Sequence, residues 1–179
     1  MAVARALPSR WVPILGRGLG CLWYVCVPIR HRETRARIKR ALCVSDHDAQ
    51  RVHRAMHGHL GLSFLELLRF GGTQGRSLKV VYQGAERLES ALARGQGALL
   101  LTGHLGNWEL LVRFGAALSR PCHVVSKSMS SNWAQRAWST LRQGAAEIIG
   151  THGSSRTILR ALKRNEIIGF AMDQHAPET

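Results

Sequence analysis

Beyond residue 78 the chain alternates short runs of aliphatic and β-branched residues with stretches of helical length. LKVVYQ (78–83) precedes AERLESALARG, GALLLTG (97–103) precedes NWELLVRFGAAL, and CHVVSK (122–127) precedes a segment ending near Gly144. EIIG (147–150) then precedes SRTILRALKR, and EIIGFAMD (166–173) follows. This alternation predicts an α/β fold: a mostly parallel sheet with flanking helices. No internal repeat, low-complexity tract or linker interrupts it, and 179 residues suffice for one domain with a buried core.

The N-terminal part has a different pattern. Residues 32–71 carry helical periodicity in two pieces that break near Val44, Ser45 and Asp46. Val52, Met56, Leu60, Phe64, Leu67 and Leu68 recur at helical spacing, and Ser45 or Asp46 can cap the second piece. GGTQG (71–75) ends it. Before these helices, residues 11–29 read WVPILGRGLGCLWYVCVPI, about the length of a bilayer span but interrupted by Arg17, three glycines and two prolines. Arg5 and Arg10 precede this stretch, and Arg30, Arg32, Arg35, Arg37, Lys39 and Arg40 follow it. The pattern suits a helix lying on or dipping into an anionic cytoplasmic leaflet, with Trp11, Trp23 and Tyr24 at headgroup level. The bland alternative is the first helix of a soluble fold. No small-residue cleavage site follows, which argues against a removed signal peptide.

Charge narrows the partners. Lys and Arg number 25 against 11 acids, a formal net of +14, which favours an anionic lipid surface, an acidic protein or nucleic acid. The run from Arg30 to Arg40 could contact phosphates, but no nucleic-acid-binding motif accompanies it and the apolar stretch beside it points to a membrane. Cys21, Cys26, Cys43 and Cys122 lack the paired spacing of zinc or redox sites and read as reduced structural thiols. His53 and His57 stand four apart with His59 nearby, but no acidic or cysteine ligand is close in sequence. They read as solvent- or partner-facing, not as metal ligands. His152 and His175 read as incidental.

The residues that carry chemistry are expected past the carboxyl ends of strands, where open α/β sheets collect their working groups. Two loops qualify: Thr102-Gly103-His104 and Asp173-Gln174. On a continuous helix His104 and Glu109 would be about 140° apart. With His104 in the loop and Glu109 in the first turns of the helix, the carboxylate can reach back to the imidazole. Gly103 and Gly106 permit so sharp a turn. A carboxylate on one ring nitrogen fixes the tautomer and leaves the other nitrogen to take a proton from a hydroxyl, with the substrate supplying the nucleophile. His-x4-Glu alone is common, and a capping or core role is its default reading.

The longer pattern is more specific. GHLGNWE after an apolar strand, RHRETRARIKRAL and SFLELLRF upstream, an arginine-containing helix downstream and FAMDQ after a later strand resemble the bacterial lipid A biosynthesis acyltransferases. These lauroyl and myristoyl transferases lie within the wider glycerolipid acyltransferase superfamily. The resemblance covers most of the chain and implies a glycerol-3-phosphate acyltransferase-like fold at 31–179, preceded by a membrane-associating region at 1–30. It implies His104 as general base and Glu109 as its partner. Asn107 and Trp108 match the motif's interior, Arg142 or Arg156 would hold a phosphate or the oxyanion, and Asp173 and Gln174 match the family's DQ pair.

The family continues into a Gly- and Phe-rich stretch ending in a Pro-Phe-Phe-Gly type of motif. A chain stopping at the lip of a strand is therefore expected to be incomplete at its C-terminal end. The activity implied is transfer of a fatty acyl chain from an acyl carrier protein or coenzyme A thioester to a hydroxyl of an anionic membrane lipid. The expected place is the inner membrane, peripheral or single-pass, with the site facing the cytosol. No metal, cofactor or nucleic acid is implied. A glycerophospholipid or another glycolipid acceptor is the nearest alternative, and a non-catalytic membrane scaffold the more distant one.

Overall fold

The computed structural model describes residues 2–71, 80–115, 118–127, 131–142 and 146–173. By packing, the chain divides into two units, Met1–Arg69 and Phe70–Thr179.

The first unit is helical: α1 (Ala2–Ala6), a 3-10 turn (Ser9–Trp11), α2 (Val12–Cys26), α3 (His31–Leu42) and α4 (Asp46–Phe70). The break between α3 and α4 falls where the sequence places it. Cys43 takes a left-handed φ of 52°, and the Ser45 hydroxyl oxygen accepts the Asp48 N–H at 3.1 Å while donating to the Asp48 carboxylate at 2.8 Å. That reciprocal cap starts α4.

Two of the three glycines that interrupt the apolar N-terminal stretch, Gly16 and Gly20, prove to be its packing surface. Gly16 and Gly20 of α2 meet Gly61 and the backbone of His57 and Leu62 on α4. A Cβ on Gly16 would stand 2.6 Å from Leu62 Cα, one on Gly20 would overlap the His57 carbonyl, and one on Gly61 the Gly16 carbonyl. Small residues four apart let two helix backbones approach this closely. The large side chains of α2 are left outside: Ile14, Leu15, Leu19, Leu22, Trp23 and Val25 are all exposed. Arg69, at the far end of α4, is buried and donates to the carbonyls of Ala4 and Leu7 and to Ser9 Oγ, which satisfies the open C-terminal end of α1. Among the described residues no single helix is long and apolar enough to cross a membrane. The 3-10 turn with α2, followed by α3, forms a bent pair at 115° that passes by length and composition.

The second unit holds the sheet. Helix α5 (Ala85–Leu92) leads to β1 (Ala98–Thr102), α6 (Trp108–Gly115), β2 (Cys122–Ser126), α7 (Asn132–Leu141), β3 (Glu147–Gly150), α8 (Ser155–Lys163) and β4 (Ile167–Ala171). The order is β1-β4-β2-β3 and every pairing is parallel. The expected α/β class and parallel sheet are therefore what the chain forms. Central strand β4 contributes the fully buried Ile167 and Ile168. Ile167 packs with Leu92, Ala98, Cys122 and Ala146, and Ile168 with Ile149 and Ala161. Central burial of this kind explains the continuous apolar run in β4, which lacks polar alternation.

One expected strand is not found among the described residues. Of LKVVYQ, the described residues from Val80 onward have no strand pairing, and Val81 is 73% exposed. A β-rich run needs a neighbouring edge to become a strand. Here Tyr82 and Gln83 line a cavity instead.

Candidate active site

Strand β4 lies beside β1, with Thr102 paired to Ala171, so the loops leaving the two strands emerge together at the carboxyl edge of the sheet. That adjacency positions the pair at the centre of the site. The Nδ1–H of His104 donates to Asp173 Oδ1 at 2.7 Å, and the His104 backbone N–H donates to Asp173 Oδ2 at 2.7 Å. Gly103 makes the approach possible, since a Cβ there would stand 3.1 Å from the Asp173 carboxyl. Gly106 adopts φ 59° in the turn that follows, as the sharp turn requires. The hydrogen bond from the His104 side chain, then that from its backbone, holds the Asp173 carboxyl below its usual range. In the uncharged ring this tautomer leaves the Nε2 lone pair free. Trp108 sits edge-on to the imidazole at 5.2 Å and limits its rotation.

The expected partner of His104 is elsewhere. Glu109, in the first turn of α6, is held by Arg142 at the end of α7: Nε donates to one carboxylate oxygen at 2.9 Å and Nη2 to the other at 2.8 Å. A carboxylate can saturate its oxygens on a planar guanidinium in this bidentate way, which leaves it no reason to reach back to an imidazole. In this arrangement His104 is oriented by Asp173, and Glu109 orients Arg142.

His104 and the Glu109–Arg142 pair line one cavity of about 720 Å³. Its walls are mainly apolar, with Leu88, Leu100, Leu111, Val112, Val124 and Phe170, and His104, Glu109, Lys127 and Arg142 are among the polar groups that line it. This is the size and character of a site for a small apolar ligand with a reactive end. A second cavity of about 400 Å³ shares Glu109, Ser126, Lys127 and Arg142 with the first and adds Gln135 and Ser139.

The other expected site residues are placed as follows. Asn107 accepts the Leu110 N–H at 3.3 Å through Oδ1 and so caps α6. Arg156 is exposed in the first turn of α8 and lines neither cavity. Gln174 and His175 lie outside the described residues, and His152 is exposed. The four cysteines carry no disulfide. Burial pushes the Cys122 thiol up, as befits a core residue. His53 is corrected: it is 1% exposed, packed between helices rather than facing solvent. The role of Asp173 as ring partner was missed from sequence. The available signal was that both loops leave the carboxyl edge of one sheet, and strand order decides whether they are neighbours.

The parallel α/β sheet thus sets a histidine–carboxylate pair beside an apolar cavity. The chain belongs to the bacterial lipid A biosynthesis acyltransferase family, whose profile it matches over residues 1–179, and is thus an acyltransferase. A comparison with curated proteins gave no match.

Proposed function

We propose that the protein transfers a fatty acyl chain from an acyl carrier protein or coenzyme A thioester to a hydroxyl of a lipid A precursor at the cytosolic face of the inner membrane. His104 acts as general base. Its Nε2 takes the proton of the acceptor hydroxyl as the oxygen attacks the thioester carbonyl, and Asp173 holds the imidazolium that results. The tetrahedral oxyanion collapses, the carbon–sulfur bond breaks, and the leaving thiolate recovers the proton from the ring. The acyl chain occupies the apolar cavity. Arg142, fixed by Glu109, presents positive charge to the oxyanion or to a phosphate of the acceptor. The His104 N–H is already engaged by Asp173, which favours an arginine over that amide as the stabilising donor.

The observation that carries this reading is the 2.7 Å contact between His104 Nδ1 and Asp173 at the mouth of a 720 Å³ apolar cavity. Residues 1–30 contact the membrane through the exposed apolar side chains of α2, flanked by the arginines that anionic headgroups attract. A carrier protein is acidic, so the net charge of +14 would steer it as well. The test is lipid mass spectrometry of a lipid A precursor incubated with acylated carrier protein and the purified enzyme. One added acyl mass, absent with His104→Ala, is the expected result. Acylation that persists in the variant removes the mechanism. Acylation of a glycerophospholipid in preference to the lipid A precursor changes the acceptor and leaves the mechanism standing.

A further inference from the structure

The helical unit contains a cluster of titratable side chains that acyl transfer does not use. One ring nitrogen from each of His31, His53 and His57 lies within 4.8 Å of the others. His53 and His57 are one turn apart on α4 and share a face. His31 opens α3, directly after Arg30 in its left-handed turn at φ 53°. Two of the rings have an unmet need. Nδ1 of His53, itself 1% exposed, and Nε2 of His31 are buried and have no hydrogen-bond partner among the described residues. Native proteins rarely leave such atoms unsatisfied.

The third ring is oriented as a ligand would be. Nδ1–H of His57 donates to the His53 carbonyl at 3.1 Å, which fixes the tautomer and frees the Nε2 lone pair. Metal-binding imidazoles are typically held in this way by a second hydrogen bond. Tyr24 closes the cluster, stacked on His31 at 4.5 Å and edge-on to His53 and His57 at 5.3 and 5.2 Å.

We propose that His31, His53 and His57 bind a divalent transition metal of the zinc type through three imidazole nitrogens, with a fourth position open to water or an anion. Nitrogen donors suit zinc, nickel or copper, whereas magnesium and calcium take oxygen. Zinc–nitrogen distances of about 2.0–2.1 Å in a tetrahedral site require the rings to close inward. His31, half-buried at the start of a helix, makes most of that movement, because the other two rings are set by adjacent turns of α4. Burial, followed by the neighbouring rings and Arg35, lowers the pKa of His53. The Arg35 guanidinium opposes a dication and therefore favours an anionic fourth ligand. A bound ion would clip the start of α3 and the middle of α4 together next to Tyr24 of α2.

The test is equilibrium dialysis of the full chain, stripped with chelator, against zinc sulfate. One tightly held zinc per chain is expected, with cobalt(II) in its place giving the intense visible absorption of a tetrahedral site. His31→Ala should weaken binding by about 100-fold while helix content by circular dichroism is unchanged, and His57→Gln should do likewise. Arg35→Ala should tighten binding. The exposed His47 and His59 are the control, and replacing both with Ala should leave binding as it was. Zinc should raise the Tm of the parent but not of His31→Ala. Uptake well short of one equivalent overturns the proposal. So does loss of zinc in the His47/His59 variant while His31→Ala retains it.

Discussion

The sheet carries a histidine–carboxylate cluster at each end, and the two are built differently. At the carboxyl edge, His104 uses Nδ1 on Asp173, keeps Nε2 free and borders a cavity. At the amino edge, His123 of β2 is buried and both its nitrogens are engaged, Nδ1 with Glu147 at 3.1 Å and Nε2 with Glu166 at 2.8 Å. Arg164 completes that network, its Nε donating to Glu166 at 2.7 Å. The same residue types give the arrangement we propose as catalytic at one end and a strut at the other. The difference lies in whether a ring nitrogen remains for a substrate, and strand direction decides it: amino ends abut the preceding helices, while carboxyl ends open into loops.

The comparison is sharpest where the expected effects are largest. His104→Ala should lower acyl transfer by about 10³-fold and leave the melting temperature nearly unchanged, as measured by kinetics and calorimetry on one preparation. Next come the two carboxylates beside the cavity. Asp173→Asn should lower kcat by about 10²-fold with little change in KM, whereas Glu109→Gln should act through Arg142 and raise KM by about tenfold. A larger kcat loss for Glu109→Gln than for Asp173→Asn would mean that Glu109 holds the ring in the working enzyme, and the comparison as drawn would fail.

His123→Leu reverses the pattern. Denaturant unfolding should show a loss of about 1–3 kcal/mol from the lost imidazole hydrogen bonds, while the folded fraction keeps its kcat. The smallest effect is acid sensitivity. The Arg164 hydrogen bond, followed by that of His123, holds the Glu166 carboxyl below its ordinary value of 4.5. A depressed folded pKa contributes stability above the ordinary value that is lost as pH falls through the folded one. Stability should therefore decline below about pH 4.5, and Glu166→Gln should flatten that decline. Asp173→Asn should alter it less, because Asp173 is half-exposed.

Much of this was legible in the chain itself. The strand–helix alternation marks the parallel sheet, Ser45 marks the start of α4, and His104 is placed in its loop by GHLGNWE. Pairing across the sequence was not legible. Local spacing joins His104 to Glu109, but the order β1-β4-β2-β3 brings in Asp173 from 69 residues away and gives Glu109 to Arg142, 33 residues on. LKVVYQ has the composition of a strand, but its described residues, 80–83, pair with no strand. Gly16 and Gly20 read as flaws in an apolar helix because sequence cannot show that another backbone presses on them. His53 likewise reads as a polar surface residue until the Gly16/Gly20 contact sets α2 against α4 and brings Tyr24 over it.

Helix α2 is turned inside out relative to an ordinary amphipathic helix: glycines are packed and leucines and tryptophan face outward. An enzyme held to a lipid surface by such a face searches for its acceptor in two dimensions. Its rate in mixed micelles should then follow the mole fraction of acceptor in the surface rather than its concentration in bulk. Adding inert detergent at constant total acceptor should slow the enzyme by surface dilution alone. Replacing Leu15, Leu19 and Leu22 with Ser should abolish that dependence and leave the chemistry at His104 intact.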